Sequence, residues 1–440
     1  MIFAKDMQVV VLLGGLGSRL KDITKDVPKP MVDIHGKPFF FYQLLLMKWY
    51  GFQNFVFCVG YKGSMVEEFF KDGSSYGVSI KYSYDGEKLL GTGGAIRRAL
   101  PFLNEDFLVI YGDSYMDVDY NEIIYNYSNA KSRHDKKGLM TVFRNNNRFD
   151  KSNVVFTQNE LIAYDKHNTL PEMEYIDYGI LVLNRSVIEG LPEGKFVDLS
   201  NIFTTLVEDR VMVGCEVRNR FYEIGTPPSL EEFKGYIYRG LYAPKEVVFL
   251  DRDGTLNEIV YNEDIEALDS PLHPEQLKLL PKTIEALKIL KTLGYSLIVV
   301  TNQPAAAKGK TTLGRLYDVN NRLRDILAEN EITLDEVLMC AHYPKQTKDC
   351  KEEFLVEDCG CRKPEPGLLK NAMAKYSIDK SKSYMVGDSY VDVLAGEAAG
   401  VNTVFLGRYK CDVCQLLGES KPTHTFKNLY EFAEFLAESK

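Results

Sequence analysis

The chain has 440 residues, of which 45% are hydrophobic and 26% are charged, a composition typical of globular proteins. This length predicts two or three domains. The formal net charge of -9 argues against a protein that coats nucleic acid. No apolar run approaches the ~20 residues of a membrane-spanning helix, and the N-terminal residues lack the apolar core of a signal peptide. We therefore expect a cytoplasmic protein without nucleic-acid or membrane partners.

The first half of the chain alternates between short apolar segments and helical segments, from residue 8 to about 225. This alternation is typical of βαβ units and predicts a mostly parallel sheet. The strand candidates are Gln8–Leu13, Phe55–Val59, Phe107–Tyr111 and Gly179–Leu183, and the helix candidates are Phe39–Tyr50 and Ser64–Phe70.

A second series of the same kind starts at Glu246. Between the two series, Gly240 and Pro244 interrupt the pattern, which predicts the join within residues 235–245. We therefore expect one domain over residues 1–235, a linker over 236–245, and a different α/β domain over 246–440. In the second domain the strand candidates are Val247–Leu250, Ser296–Val300, Ser383–Val386 and Thr403–Leu406, and the helix candidates are Lys282–Leu293 and Leu313–Asn330.

Each series opens with a strand followed by a loop rich in glycine or aspartate. The first loop is Gly14-Gly15-Leu16-Gly17-Ser18-Arg19-Leu20, and the second is Asp251-Arg252-Asp253-Gly254-Thr255-Leu256. A loop that follows a buried parallel strand emerges at the carboxyl edge of the sheet, where open α/β folds bind ligands. Two such openings predict two active sites on one polypeptide.

The first loop has the composition of a phosphate-binding loop. Gly14, Gly15 and Gly17 let the backbone approach phosphates closely, and Arg19 adds a cation. Further on, Lys29 is a second cation between two prolines. A glycine-rich loop alone is a weak signal, and this spacing fits neither the Walker loop nor a dinucleotide fingerprint.

Together with Pro28-Lys29-Pro30, this loop resembles the sugar-1-phosphate nucleotidyltransferase family over roughly residues 8–235. The resemblance extends to a strand that ends in Asp113, to a nucleotide-contacting loop at Leu90–Ala95, and to the segment Phe221–Pro227. It implies that Asp113 and Glu223 bind Mg²⁺, although most members have Asp at the second position. It further implies that Gly91, Thr92 and Gly93 contact the nucleotide. Arg19 would bind the phosphates that leave as pyrophosphate, Lys29 would bind the α-phosphate, and Lys166 would bind the sugar phosphate. Considered without the other motifs, Asp113 could simply cap the end of a strand, and Lys29 could be an ordinary surface lysine.

In the second loop, Asp251 and Asp253 stand two residues apart. In an extended segment both side chains face the same way, so one can attack phosphorus while the other handles a proton. The loop resembles the first motif of the haloacid dehalogenase-like phosphohydrolases, and later motifs follow in order over 246–440. The resemblance implies Asp251 as nucleophile and Asp253 as general acid and base. It also implies Thr301 and Lys363 as phosphoryl contacts, and Asp251, Asp253 and Asp388 as the Mg²⁺ site, with Asp392 as a weaker candidate.

Two cysteine-containing pairs indicate a structural metal site. Cys340, His342, Cys359 and Cys361 offer three thiolates and one imidazole, the ligand set of a closed tetrahedral zinc site. The alternative is a group of small buried side chains. Because Cys361 lies two residues from Lys363, zinc would fix the loop that carries this lysine. Cys350 is interpreted as a bystander, and Cys411 and Cys414 are interpreted as ordinary reduced cysteines.

The segments around Lys363 and Thr301 narrow the second resemblance to the heptose 1,7-bisphosphate phosphatases and the histidinol-phosphate phosphatases. The resemblance implies substrate contacts from Asn302, Lys308 and Arg362. Members usually have Ser-Gly and Arg-Gly pairs in the region where this chain has Pro304 and Lys308. The implied fold class is α/β with two domains: a Rossmann-like mixed sheet, and a haloacid dehalogenase-like Rossmannoid with a zinc loop.

The combination of the two halves suggests consecutive reactions, because a bisphosphate phosphatase can leave the sugar 1-phosphate that a nucleotidyltransferase consumes. The resemblances imply that D-glycero-α-D-manno-heptose 1,7-bisphosphate loses its 7-phosphate and that heptose 1-phosphate then reacts with GTP to give GDP-heptose. Two alternatives stay open: another sugar phosphate and nucleotide, or one non-catalytic half, which Glu223 favours. The expected partners are these small molecules, and the oligomeric state, a homo-oligomer included, is left open.

Overall fold

The structure is a computed structural model that describes residues 4–15, 26–86, 88–157, 159–168, 170–263, 266–350, 352–407 and 421–439. The chain divides into two compact units, Met1–Tyr236 and Ile237–Lys440. Within the described ranges, no helix is both long and apolar enough to cross a membrane. Gly17, Arg19, Cys411 and Cys414 lie outside the described residues.

The first unit is built on a mixed sheet that has nine strands among the described residues, with the path β10-β9-β11-β6-β1-β4-β5. Strands β1, β4, β5 and β6 are parallel, β11 runs antiparallel to β6, and β8 joins β11 to β12. The strands of the unit are β1 (Gln8–Leu12), β2 (Asp33–Ile34), β3 (Lys37–Pro38), β4 (Asn54–Val59), β5 (Ser79–Tyr84), β6 (Asp106–Tyr111), β7 (Ser114–Tyr115), β8 (Gly138–Arg144), β9 (Val154–Thr157), β10 (Glu160–Tyr164), β11 (Tyr175–Asn184), β12 (Met212–Val217) and β13 (Tyr222–Glu223).

Helices cover the sheet because its central strands are apolar on both faces. Val9, Val10 and Val11 of β1 are fully buried, as expected for a parallel strand between two helical layers. The helices of this unit are α1 (Phe39–Trp49), α2 (Gly63–Phe70), α3 (Gly91–Ala99), α4 (Tyr120–His134), α5 (Arg185–Glu189), α6 (Leu199–Glu208) and α7 (Pro227–Ile237).

The second unit has a parallel sheet, with six strands among the described residues in the order β18-β17-β14-β19-β20-β21. A separate hairpin, β15–β16, follows the first strand. Its strands are β14 (Val247–Leu250), β15 (Val260–Asn262), β16 (Ala267–Asp269), β17 (Ser296–Asn302), β18 (Glu336–Cys340), β19 (Tyr384–Gly387), β20 (Asn402–Leu406) and β21 (His424–Phe426). Its helices are α8 (Thr283–Thr292), α9 (Leu313–Glu329), α10 (Gly367–Lys375), α11 (Tyr390–Ala399) and α12 (Leu429–Ser439).

Each strand and helix candidate from the sequence coincides with an element of the same type, with ends that mostly move by one or two residues. The expected linker is partly structured. A π-helical turn occupies Tyr238–Tyr242, and Lys245 forms a parallel bridge with Ile378.

Candidate active sites

Three charged side chains meet at the carboxyl edge of the first unit's sheet. The Lys29 ammonium lies 2.7 Å from Oδ2 of Asp113 and 3.2 Å from Oε1 of Glu223. Lys29 is buried, while about a third of each carboxylate side chain is exposed. An ammonium between two carboxylates offsets their mutual repulsion. Three residues from separate sequence motifs are therefore brought together.

Local backbone structure explains this meeting. The short strand β13 pairs with β7 and puts Glu223 opposite Ser114, and the N–H of Ile224 donates to the Asp113 carbonyl at 3.3 Å. Lys29 begins a 3-10 turn between Pro28 and Pro30, and the two prolines restrict the backbone of that turn.

The described part of the first loop passes very close to a neighbouring strand end. A Cβ atom on Gly60, which follows β4, would lie 3.1 Å from the Cα atom of Gly14. A Cβ atom on Gly15 would meet nothing within 4 Å, so the backbone there faces open space. Gly17 and Arg19, the rest of the expected phosphate contacts, lie outside the described residues.

The expectation of a loop at Gly91, Thr92 and Gly93 is wrong, because these residues form the first turn of α3. The N–H of Gly93 donates to the Val197 carbonyl at 2.9 Å. Thr92 Oγ1 accepts from the N–H of Leu199 at 2.8 Å. The helix start is thus held by residues 197–199, and its nucleotide contacts stay a prediction.

A cavity of about 420 Å³ lies beside Glu223 in this unit. Thr92 and Lys166 line it, and the Lys166 ammonium lies 3.8 Å from Oδ2 of Asp198. Lys166 is half exposed, so it can reach an anionic group inside the cavity. Its expected role toward the sugar phosphate stays a prediction.

Asp177 also lines this cavity and was not identified from the sequence. Strand β11 shifts register against β8 between Asp177 and Leu181, and Gly179 adopts a φ of +97°. Such bulges re-aim side chains near functional sites. Burial raises the pKa of Asp177 to about 6, against the opposing effects of the Gly179 N–H and Lys166.

The second unit contains a cavity of about 360 Å³ at the ends of its central strands, lined by Asp251, Asp253, Asn302, Lys363, Asp388 and Asp392 among other residues. Asp251 follows β14, Asn302 ends β17 and Asp388 follows β19. These three strands are adjacent and parallel, so their ends meet at one edge of the sheet.

Lys363 lies at the centre of this site. Its ammonium is 2.7 Å from Oδ1 of Asp251 and 2.6 Å from Oδ1 of Asp392, and it donates to the Val300 carbonyl at 2.8 Å. Burial raises the pKa of Asp251 to about 7, although Lys363 acts in the opposite direction. Asp392 was the weaker metal-binding candidate from the sequence, yet its carboxylate contacts the ammonium of Lys363 at the centre of the site.

Asp253 is held by a dense set of donors. The guanidinium of the fully buried Arg252 donates to both carboxylate oxygens at 3.1 Å. Asn257 Nδ2 donates at 2.9 Å and Gln303 Nε2 at 2.5 Å. Although burial alone raises it, the pKa of Asp253 lies below its usual value because of Arg252 and these hydrogen bonds. The segment is not fully extended as expected, because the backbone bends at Arg252 and a turn bridged from Asp253 to Asn257 follows. Asp251 and Asp253 nevertheless line the same cavity.

Thr301 and Asn302 are adjacent predicted site residues, but only Asn302 lines the cavity. The Asn302 side chain exchanges two 3.0 Å hydrogen bonds with the backbone of Lys363, which holds the lysine's loop against β17. Thr301 is 1% exposed, and its hydroxyl accepts from Gln303 Nε2 at 2.9 Å. It is not among the described residues that line the cavity, and its phosphoryl contact stays a prediction.

Two predicted substrate-binding cations converge on one aromatic ring. The Lys308 ammonium lies 4.6 Å from the centroid of the Tyr343 ring, and the Arg362 guanidinium carbon lies 5.6 Å from it. Arg362 Nη1 is buried and has no hydrogen-bond partner among the described residues. Buried polar groups normally have partners, so this nitrogen is suited to donate to a ligand oxygen.

The predicted cysteine and histidine ligands also form a compact group. Cys361 Sγ lies 3.0 Å from Cys340 Sγ, 3.1 Å from Cys359 Sγ and 3.3 Å from His342 Nδ1. All four ligand atoms lie within 4.8 Å of one another. The hydrogen bond from the Gly367 N–H to the Gly360 carbonyl, 2.9 Å long, closes the loop between this group and α10.

Comparison with protein-family models assigns both halves. The nucleotidyl transferase model matches residues 8–236, and the HAD-hydrolase-like model matches residues 360–432. The chain belongs to the nucleotidyl transferase family. Its Met1–Tyr236 unit is the transferase unit, and its Ile237–Lys440 unit is a HAD-type phosphatase unit, as the relatives below also indicate.

Curated relatives match each unit separately. D-glycero-alpha-D-manno-heptose 1-phosphate guanylyltransferase of Campylobacter jejuni is 29% identical over 52% of this chain and 98% of its own length. D-glycero-beta-D-manno-heptose-1,7-bisphosphate 7-phosphatase of Pasteurella multocida is 37% identical over 37% of this chain and 82% of its own length. The alpha-anomer phosphatase of Photorhabdus laumondii is 37% identical over 37% of this chain and 81% of its own length. The resemblances found in the sequence are thereby confirmed.

Two side-chain groups of the phosphatase unit fit metal ions. Asp251, Asp388 and Asp392 bring carboxylate oxygens within 4.8 Å of one another, and oxygen ligands suit hard divalent cations. A Cβ atom on Gly254 would lie 2.2 Å from Oδ2 of Asp388, so only glycine leaves room for that carboxylate. The thiolate and imidazole group fits a softer ion.

Proposed function

We propose that this chain carries two enzymes of nucleotide-activated heptose synthesis. The phosphatase unit removes the 7-phosphate of D-glycero-D-manno-heptose 1,7-bisphosphate, and the transferase unit transfers GMP from GTP to heptose 1-phosphate, which gives GDP-heptose and pyrophosphate. The observation that carries the proposal is the pair of lysine–carboxylate centres, one per unit, within sequence matches to enzymes named for these two reactions.

In the phosphatase unit, the first step forms a bond between an Asp251 oxygen and phosphorus while the bond from phosphorus to the sugar oxygen breaks. Asp253, the general acid that the resemblance implies, gives a proton to the leaving sugar oxygen; because its pKa is low in the free site, it takes up this proton from the substrate phosphate on binding. Water then attacks the aspartyl phosphate, Asp253 takes a proton from that water, and inorganic phosphate leaves with Asp251 restored.

Lys363 stabilises the phosphoryl group in both steps. Its ammonium is 2.7 Å from Oδ1 of Asp251, so the oxygens of a phosphoryl group on Asp251 would lie within its hydrogen-bonding reach. Arg362 and Lys308 both lie over the Tyr343 ring. We assign them to binding the rest of the substrate, including its 1-phosphate. Asn302 positions Lys363 through its backbone.

In the transferase unit, an oxygen of the sugar 1-phosphate attacks the α-phosphorus of GTP, and pyrophosphate leaves. Both reactants are anions, so cations must offset their repulsion. We assign Lys29, which lies beside Asp113 and Glu223, to the α-phosphate. We assign Lys166, which lines the neighbouring cavity, to the sugar phosphate.

The metals proposed are Mg²⁺ in both active sites and zinc in the cysteine group. Asp113 and Glu223 would hold one Mg²⁺; Asp251, Asp388 and the Asp253 carbonyl would hold the other. Mg²⁺ supplies charge stabilisation of the reacting phosphoryl group. Cys340, His342, Cys359 and Cys361 would hold zinc, which stabilises the loop before Lys363.

The α anomer is the expected one. The phosphatase leaves the anomeric C–O bond unbroken, so the transferase must accept the configuration that the phosphatase leaves, and the named guanylyltransferase relative acts on the alpha form. A non-catalytic transferase half is disfavoured, because the unusual Glu223 reaches 3.2 Å from Lys29.

A panel of sugar bisphosphates and nucleoside triphosphates tests the proposal with purified protein and Mg²⁺. Phosphorus NMR separates inorganic phosphate, sugar 1-phosphate, pyrophosphate and the nucleotide-sugar ester. We expect heptose 1,7-bisphosphate with GTP to give all four signals. Turnover of a hexose bisphosphate with another triphosphate, and none of the heptose, would replace this proposal by a different sugar pathway.

A further inference from the structure

The carboxyl edge of the transferase sheet presents one more acidic side chain, which the reaction scheme has not used. Tyr84 of β5 is level with Val59 of β4, Cys58 of β4 with Leu12 of β1, and Leu12 with Tyr111 of β6. The residues that follow these strand ends are Asp85, Gly60, Leu13–Gly14 and Gly112–Asp113. Asp85 therefore lies three strand spacings, ~14 Å, from the Asp113 strand, on the far side of the glycine loop.

Asp85 is oriented toward that loop. A Cβ atom built on Gly14 would lie 3.7 Å from Oδ2 of Asp85. The backbone N–H of Asp85 donates to the Val59 carbonyl at 3.0 Å, which fixes the residue at the sheet edge. Leu89, which is 40% exposed, lies against Gly60 and adds apolar surface beside this edge.

The Asp85 side chain has spare capacity to accept hydrogen bonds. It is only 9% exposed. From the described residues it receives one hydrogen bond, from the Leu90 N–H to Oδ2 at 3.3 Å. A carboxylate has about four acceptor positions and no donor. Burial raises the pKa of Asp85, partly offset by the Leu90 N–H and Arg98.

We propose that Asp85 selects guanine as the nucleotide base by accepting hydrogen bonds from the ring N1–H and the 2-amino group. Guanine presents two adjacent donors on this edge, which match the two oxygens of a carboxylate. Adenine and cytosine place an acceptor ring nitrogen beside their amino group, and uracil places an N–H between two carbonyl oxygens. A buried carboxylate discriminates against these edges because they would leave acceptors facing each other.

This inference rests on the proposed transferase function, but it can fail independently. The phosphates of the nucleotide would lie along the glycine loop toward Lys29 and Asp113, and the base would extend to Asp85. The position of Asp85 thus adds a reason for the choice of GTP that the composition of the glycine loop does not contain.

The test uses the full-length protein with GTP, inosine triphosphate and xanthosine triphosphate. Inosine lacks the 2-amino group, and xanthine has a carbonyl oxygen in its place. The variants are Asp85→Asn and Asp85→Ala. Asp106→Asn is the matched control, because Asp106 is a similarly buried carboxylate at the opposite, amino end of β6, bonded to Tyr127 and Lys131.

For the wild type and Asp106→Asn, we expect kcat/KM for GTP to exceed that for inosine triphosphate by about 10- to 100-fold, the value of one charge-assisted hydrogen bond. In Asp85→Asn, the side-chain amide can donate to the xanthine carbonyl, so xanthosine triphosphate should become better than GTP. Asp85→Ala should show less than about a threefold preference among the three.

An equal loss with all three nucleotides in Asp85→Asn would overturn the proposal, since it indicates a ribose contact or a structural role. Retention of the wild-type ratio of GTP to inosine triphosphate would also overturn it. Equilibrium binding of the same nucleotides, measured by calorimetry without sugar phosphate, reports the base preference even if the transfer reaction itself is absent. In that case the proposed function fails while the role of Asp85 is still decided.

Discussion

Replacement of Lys363 by methionine tests the phosphatase centre most sharply. Its ammonium lies 2.7 Å from Asp251 and 2.6 Å from Asp392, with 2% of the side chain exposed. At an effective dielectric constant of about 20, each contact corresponds to about 6 kcal/mol of attraction. Desolvation of the buried ions offsets much of that, and breaking such a pair typically costs about 3–5 kcal/mol of folding free energy. We expect this loss of stability in Lys363→Met.

The same chain supplies a matched control for the effect on catalysis. Lys375 is also buried and pairs with Glu336 at 2.5 Å, with 6% and 9% of the two side chains exposed, but neither residue lines the cavity. Lys375→Met should therefore lose similar stability and keep phosphate release. Lys363→Met should lose phosphate release by about 10²–10³-fold, the effect of removing one preorganised contact to a developing charge.

Phosphate release is measured well below the unfolding temperature of both variants, with stability taken from urea unfolding and transferase activity as an internal control. If Lys363→Met retained activity within tenfold of the wild type, Lys363 would not contact the phosphoryl group. If Lys375→Met lost activity equally, loss of folding rather than chemistry would explain both results.

Three further predictions concern other parts of the chain. Gly254→Ala should destabilise the phosphatase unit more than Gly294→Ala. Both glycines have φ near +85 to +90°, where a side chain costs ~1–2 kcal/mol, but only Gly254→Ala also adds a Cβ atom 2.2 Å from Asp388. Equal losses of stability in calorimetry would contradict this. Cys361→Ser should lower the zinc content found by elemental analysis from about one atom per chain to none, whereas Cys350→Ser should not; unchanged zinc in Cys361→Ser would exclude the proposed site. The raised pKa of Asp177, about 6, stabilises the folded state at acid pH, and this contribution is lost as pH rises from about 4 through 6, by at most ~3 kcal/mol. The stability of the wild type relative to Asp177→Asn, from urea unfolding, should therefore fall over that range, and a flat difference would contradict the assignment.

The sequence predicted the residues of both centres where short motifs follow strands. Asp113, Asp251 and Asp388 each follow a strand, and strand order then brings their partners to the same edge. Lys29 and Glu223 are 194 residues apart, and only their family motifs predicted that they share one site. The β7–β13 pairing that brings Glu223 beside Asp113 has two residues in each strand, which is too short to produce a recognisable hydrophobic pattern in the sequence.

Other features depend on tertiary structure that no local pattern encodes. Asp177 enters its cavity only because β11 bulges against β8, a strand more than thirty residues away in sequence. Arginine is usually exposed in proteins, but Arg252 is completely buried and donates hydrogen bonds to Asp253 and Asn320. The Gly91 segment resembles a loop in composition, yet residues 197–199 hold it as a helix start.

The central claim is that two independent active sites on one chain carry out consecutive reactions, and crossed single variants test it most directly. Asp251→Asn and Asp113→Asn are each supplied with heptose 1,7-bisphosphate, GTP and Mg²⁺, and separately with heptose 1-phosphate and GTP. We predict that Asp251→Asn releases no phosphate but still makes GDP-heptose from the 1-phosphate, whereas Asp113→Asn accumulates heptose 1-phosphate without GDP-heptose. Loss of both activities in either folded variant, or retention of both, would contradict the claim.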